Sequence, residues 1–333
     1  MHIAIIGAGI AGLTCARQLQ VQGHSVVVYE KNSDVGGRMC TRHTELGGFD
    51  VGAQYFTADS ERFSKAITHW RKAGWVSTWN GRLVTVGNGA SKVADKSKQR
   101  YVGTPGMATL LEHLAHGVDV RTEQMVTRIE RHGELWLLGV TADTVPIEAT
   151  AGPFDAVLVA APTARALPLL QAAPKLARQA KQASLRPCWA LMLGFQDPLD
   201  LGYDGAWVQR SRLSWIAQDS SKPQRRPGEH WVAHASAEWS VEHLEDDPER
   251  VKEKLLRAFH EATGSHMQPV YADVYRWRYA QPTEPLPEAY LWDSKLRIGA
   301  CGDWFSAGLE GGGRVENAYL SAMALAEEVP GES

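Results

Sequence analysis

The apolar pattern opens with the short run HIAII at residues 2–6, breaks into GAGIAG, and resumes as the helical stretch LTCARQLQVQG. SVVVYE follows as a second run ending on Glu30. Strand, glycine turn, helix and strand in that order predict a parallel βαβ unit. SERFSKAITHWRKAG then repeats its apolar positions at helical spacing, and WVSTWNGRLVTVGNG after it reads as a short hairpin or an irregular excursion. TPGMATLLEHLAHG predicts a further helix, with Pro105 near its start and Gly117 beyond its end. DVRTEQMVTRIERHGELWLLGV alternates as two strands around His132-Gly133. FDAVLVAAP is an unbroken apolar run suited to the interior of a parallel sheet.

Beyond Ala161 the segments RPCWALMLGF, DGAWVQ, LSWIAQ, HWVAHA and VYADVYRWR predict an antiparallel sheet, interrupted by the helix PERVKEKLLRAFHEATG. Eight of the twelve tryptophans lie at or after Trp189, so this sheet is the aromatic part of the chain. The strand LRIGACGDW and the glycine-rich turn and helix LEGGGRVENAYLSAMALAEEV then return to the first sheet. The expected fold class is α/β. A discontinuous Rossmann-like nucleotide domain takes residues 1–58, 100–162 and 288–333, and a second, α+β substrate domain with a mixed or antiparallel sheet takes 60–99 and 163–287.

Composition narrows the function. With 333 residues, 44% of them hydrophobic, the chain can bury one large or two moderate cores. A net charge of -3 without a basic tract argues against a nucleic-acid partner. No run of eighteen uncharged apolar residues occurs, so neither membrane span nor signal peptide is expected, and a cytoplasmic location is. Cys15, Cys40, Cys188 and Cys301 form no C-x-x-C pair and read as free thiols. The histidines show no H-E-x-x-H spacing, so no metal site is expected.

The chemistry begins at the glycines. Gly7, Gly9 and Gly12 stand in G-x-G-x-x-G spacing: the first permits the turn, the second lets backbone approach a pyrophosphate, and the third lets the helix pack close to the strand. Glu30 suits a ribose 2'-hydroxyl and repels a 2'-phosphate, so FAD or NAD is expected rather than NADP. Gly36, Gly37, Gly47, Gly48 and Gly52 bring backbone near something bulky, with the Arg38 guanidinium among them suited to a phosphate. A helix beginning near Gly313 would turn its N-H groups toward the electron-accepting edge of a flavin, and Asp303 would hold a ribityl or ribose hydroxyl. The tryptophan-rich sheet is either bulky core or a face for a flat substrate.

GAGIAG at 7–12, Glu30, GGRM at 36–39 and the terminal GDW with GGGRVENAYLSA resemble the FAD motifs of the flavin amine oxidase superfamily. GGFDVGAQYFT at 47–57, YVGTPGMATL at 101–110, SWIAQDSSKP at 214–223 and YRWRYAQP at 275–282 resemble its renalase-like branch. The resemblance implies an FAD-binding Rossmann-like domain with noncovalent FAD. Gly7, Ala8, Gly9, Ala11 and Gly12 would hold the pyrophosphate, Glu30 the ribose and Arg38 a phosphate, with Lys31, Gly37 and Met39 as further cofactor-binding residues. Gln54 and Tyr55 would lie near the flavin, the Val126 backbone at adenine, and Asp303, Arg314 and Val315 at the ribityl chain and isoalloxazine. Substrate would meet Trp277 and Tyr279, with Trp215, Asp219 and His234 as further candidates, and no catalytic side chain is assigned. Amine oxidases commonly carry a lysine on the strand that leads back to the flavin, where this chain has Cys188. The implied activity is oxidation of 2- or 6-dihydro-NAD(P) isomers to beta-NAD(P)+ with oxygen reduced to hydrogen peroxide, the alternatives being a flavin-containing amine oxidase or another FAD-dependent oxidoreductase. The expected partners are a dinucleotide-sized or other small-molecule substrate and oxygen.

Overall fold

The computed structural model describes residues 1–87, 92–93, 98–142 and 145–331, with backbone alone for 92–93 and 145–147. A six-stranded sheet runs in the order Leu291–Asp293, Ile298–Ala300, Ala156–Val159, His2–Ile6, Ser25–Tyr29 and Asp119–Arg121. All neighbours are parallel except the first pair. Ile3, Ile5, Val26, Val28 and Leu158 pack on one face with the helices Ile10–Val21, Thr109–Ala115 and Val315–Glu328. Ala4, Ile6, Val27, Val157 and Val159 pack on the other, under a three-stranded antiparallel sheet of residues 124–154 and the helices Thr163–Leu170 and Pro174–Ala180. Cover on both faces is why these strands are continuously apolar.

The second sheet has seven strands in the order Tyr271–Glu284, Ser184–Phe195, Glu229–Ala235, Leu213–Gln218, Gly205–Val208, Leu83–Val86 and Lys92–Val93. It is antiparallel apart from the parallel pairing of Leu83–Val86 with Gly205–Val208, so it is mixed. Trp189, Leu191, Leu193, Ile216, Trp231 and Ala233 face the helix Pro248–Thr263 and bury its Val251, Leu255 and Phe259. That helix is capped by the Asp247 side chain and stopped by Gly264 at φ 71°. Alternation therefore sends the intervening residues, among them Trp215, His234, Tyr275 and Trp277, to the opposite face.

Two sequence expectations change. WVSTWNGRLVTVGNG is not one hairpin: Val76–Thr78 pairs with Tyr101–Gly103, while Leu83–Val86 joins the seven-stranded sheet, and residues 88–89 lie outside those described. Distant partners outcompete the local turn there. Within the 60–99 excursion, the helix Glu61–Lys72, capped by Ser60, buries Phe63, Ile67 and Trp70 in the core of the six-stranded sheet. The last helix begins at Val315 with Arg314 as its N-cap, close to the expected start near Gly313, and Gly311 and Gly313 stand at positive φ in the turn before it. Residues 94–97, 143–144 and 332–333 of the expected domains also lie outside the described residues.

Candidate functional site

The first turn fits a dinucleotide through its backbone. A Cβ on Gly12 would sit 1.9 Å from the Gly7 carbonyl oxygen, and one on Gly7, at φ 108°, would sit 2.6 Å from the Ala160 oxygen. Gly9 differs, because a Cβ there meets no protein atom within 4 Å and points into open space. Two glycines are thus demanded by the protein's own packing and the third by whatever occupies the space outside, which suits a pyrophosphate at a helix N-terminus. Ala8 and Ala11 are buried beside them.

Glu30 is 5% exposed at the strand end. One carboxylate oxygen accepts from the Ala8 N-H at 2.9 Å, the other from the Asn32 backbone and side-chain N-H groups at 2.9 and 2.7 Å. The oxygen with a single donor keeps capacity for a ribose hydroxyl. Lys31 is exposed. The strand carrying Val126 leaves this point directly, since Gln124 N-H donates to the Glu30 carbonyl at 2.9 Å. Val126 on that strand packs in the nearby core with Tyr29.

The second wall is the Gly37–Met39 turn. Gly36 N-H donates to the Ala8 carbonyl at 2.9 Å, and a Cβ on Gly37 would be 3.6 Å from the Gly9 Cα. Arg38 and Asp303, expected at different parts of the cofactor, are bonded to each other through two contacts of 2.6 Å, and the Arg38 guanidinium also donates to the Ala280 carbonyl at 3.0 Å. This pair joins the N-terminal loop to the end of the last strand. Gly313 N-H donates to the Asp303 carbonyl at 2.8 Å, which brings the glycine-rich turn and the uncapped N-terminus of the last helix to the same place. Arg314 reaches away to Asp59 at 2.6 Å, and Val315 starts the helix.

Segment 50–55 crosses from this wall to the aromatic sheet face. Ala53 N-H donates to the Arg38 carbonyl at 2.9 Å, and a Cβ on Gly52 would lie 2.1 Å from that oxygen. The Val51 carbonyl accepts from Trp277 Nε1 at 3.0 Å and from His234 Nε2 at 3.0 Å. Burial holds the His234 pKa down to about 4 against that bond, with Lys222 adding to the effect, so the ring is neutral and Nε2 carries the donated hydrogen. Tyr55 meets Trp215 at 5.7 Å and Trp79 at 6.2 Å between ring centres, with the Arg100 guanidinium 5.6 Å over its ring. Burial raises the Tyr55 pKa, with Arg100 pulling the other way. Trp207 stands 5.0 Å from Trp215.

The structure thus gathers Trp277, His234 and Trp215 on one face, with Tyr55 against them. Asp219 points instead into a buried ion cluster with Lys222. Gln54 is likewise turned inward: its amide nitrogen donates to the Asp50 and Gly52 carbonyls and its oxygen accepts from Lys222. For Tyr279, strict alternation does not carry over, because the register slips by two residues between Trp277, opposite Cys188, and Gln281, opposite Arg186. Sequence reasoning passed over Asp50, Lys222, Arg225, Arg100, Trp79 and Trp207. Asp50 sits inside the motif GGFDVGAQYFT, where a charge in an otherwise small or apolar stretch was the available signal, whereas Lys222 closes the polar run QDSSK of SWIAQDSSKP and carried none.

The comparisons with known proteins agree with this fold. Residues 5–70 match the model of an NAD(P)-binding Rossmann-like domain. A 64-residue stretch is 47% identical to an L-amino-acid oxidase of Siganus canaliculatus, covering 19% of this chain and 12% of that protein. The fold is similar to cyclohexylamine oxidase from Brevibacterium oxydans IH-35A, with TM-score 0.73, 16% identity, and 98% of this chain and 99% of that chain covered. It is also similar to an oxidoreductase from Methanosarcina mazei, with TM-score 0.70, 16% identity, and 98% and 100% covered. No helix among the described residues is long and apolar enough to cross a membrane. Residues 80–330 match the family model of flavin-containing amine oxidoreductases, and the chain belongs to that family, with FAD as its cofactor.

Proposed function

We propose that the protein is an FAD-dependent oxidase of 2- or 6-dihydro-NAD(P) isomers, of the renalase-like kind. The observation that carries this reading is the character of the sheet face: Trp277, Trp215 and a neutral His234, with the nearby Lys222 and Asp219 charges spent on each other. That face can stack and orient a flat ring, and it offers no poised base among these residues. A dihydronicotinamide needs none, because its ring nitrogen supplies the electron push. Bound FAD would supply a two-electron acceptor for the hydride, and oxygen would receive both electrons with two protons to give hydrogen peroxide. The protein's part is to hold the dinucleotide by its backbone turn and to present the reacting ring to the flavin. We further propose that Trp277 and Trp215 contact substrate and that Lys31, Val126 and Val315 contribute cofactor contacts through position alone.

Amine oxidation is the second reading, supported by the fold likeness to cyclohexylamine oxidase over nearly the whole of both chains. Anaerobic reduction of the FAD-loaded protein separates the two. Rapid loss of the 450 nm band with borohydride-reduced NAD+, a mixture of dihydro isomers, is expected, with no bleaching by primary amines. Bleaching by amines alone would overturn the proposal.

A further inference from the structure

Between the Gly37–Met39 wall and the seven-stranded sheet, four charges are sealed from water. Lys222 and Asp50 have 0% side-chain exposure, Asp219 1% and Arg225 4%. Lys222 Nζ lies 2.5 Å from Asp219 and 3.2 Å from Asp50, and Arg225 lies 2.5 Å from Asp50 and 3.7 Å from the second Asp219 oxygen. Asp50 also accepts from Thr41 Oγ1 at 2.8 Å and from Met107 N-H at 3.0 Å, while Arg225 donates to the Gly103 carbonyl at 2.9 Å. The far Asp219 oxygen accepts no hydrogen bond. Burial raises the Asp219 pKa, whereas the same burial at Asp50 is outweighed by Lys222 and Arg225, which hold it down to about 2. The quartet balances to zero charge, which is the condition for burying it at tolerable cost.

Lys222 has a third partner outside this balance. Its ammonium donates to the Gln54 oxygen at 3.4 Å, and so holds the Gln54 amide from the end opposite the nitrogen that donates to the Asp50 and Gly52 carbonyls. The Gly52-Ala53 backbone in turn seats against the Arg38 carbonyl, and the turn that holds Arg38 touches Gly9. We propose that Lys222 is a positioning residue for the FAD site: through Gln54 it sets the Asp50–Gln54 segment on which the Gly37–Met39 wall rests. The inference depends on the glycine turn holding FAD, and it is independent of which substrate is oxidised.

The test separates charge balance from positioning. Lys222→Met leaves two buried carboxylates facing one arginine and should lower the melting temperature; adding Asp219→Asn restores neutrality, so the double variant should melt near the wild-type temperature. Both variants lose the Lys222 contact to the Gln54 oxygen and leave Gln54 held only through the Asp50 and Gly52 carbonyls. The double variant is therefore expected to bind FAD on the order of tenfold more weakly, with altered fine structure in the flavin absorption band, the scale of one hydrogen-bonded contact. Gln54→Leu should give the same affinity loss with both ions in place. Recovery of FAD affinity together with melting temperature in the double variant would overturn the proposal, and so would unchanged affinity in Gln54→Leu. If Lys222→Met alone does not fold, the other two variants still decide. A wild-type protein that takes up no FAD would instead refute the cofactor assignment itself.

Discussion

The glycine turn and the aromatic sheet face, which we propose serve one site, are built on opposite principles. At residues 7–12 the constraint is steric and local: carbonyl oxygens of the turn and of the neighbouring strand leave no room for a side chain at Gly7 or Gly12. On the sheet face the constraint is register. Trp277, His234 and Trp215 belong to three strands separated by tens of residues, and they converge because pairing puts Trp215 opposite His234 and Cys188 opposite Trp277. A backbone cradle tolerates almost no substitution, whereas an aromatic face assembled by pairing should tolerate several and change its selectivity.

The largest effect should come from contrasting two glycines in that cradle. Gly12→Val pushes a Cβ into the Gly7 carbonyl, where only backbone can move, and is expected to cost more than about 4 kcal/mol and leave no folded protein. Gly9→Val meets no protein atom, and its backbone at φ -80° is open to any residue. It should fold with a normal far-UV circular dichroism spectrum and lack the 450 nm flavin band. Retained FAD in Gly9→Val would show that the space outside Gly9 is not where the pyrophosphate lies.

That contrast also explains what could be read before the structure. The βαβ unit, the interior strand Ala156–Val159, the helix Pro248–Thr263 and the five tryptophan-rich strands follow from period, caps and turn residues, all local quantities. What could not be read depended on distant partners. Leu83–Val86 is a strand because Gly205–Val208 lies beside it, and Asp50 looks like a turn aspartate until Lys222 and Arg225 arrive from 172 and 175 residues away. Arg38 and Asp303 were each legible as cofactor-directed, but their pairing across 265 positions was not.

A smaller effect is expected on the aromatic side. Trp277 is half-buried, stands 4.7 Å from Tyr275, and its ring edge lies 3.3 Å from where a Gly52 Cβ would be. Trp277→Ala removes the ring and one of two donors to the Val51 carbonyl, a loss of about 1–3 kcal/mol. We expect its KM for dihydronicotinamide to rise on the order of tenfold while FAD content holds. Trp277→Phe keeps the ring and leaves the His234 donor in place, so it should stay within about threefold of wild type. Loss of FAD in step with activity in the alanine variant would mean that the face belongs to the cradle after all.

The smallest effect should appear in the acid limb of stability, and it tests whether register alone sets the sheet face. His234 has its pKa lowered from 6.5 to about 4 by burial, so between those values the unfolded chain binds a proton that the folded protein refuses. Stability from this group is therefore complete above about pH 6.5 and falls as the pH drops through the window toward 4. Asp50, lowered from 3.8 to about 2, adds its own loss only at more acid pH, so the two windows do not overlap. His234→Gln can still donate to the Val51 carbonyl and does not titrate. Its stability should fall less than that of the wild type between pH 6.5 and 4.5, by on the order of 1–3 kcal/mol, while His230, also held down by burial, keeps its own acid-side loss in both proteins. An equal decline in both proteins would place the acid sensitivity elsewhere and leave His234 as a packing residue of the sheet.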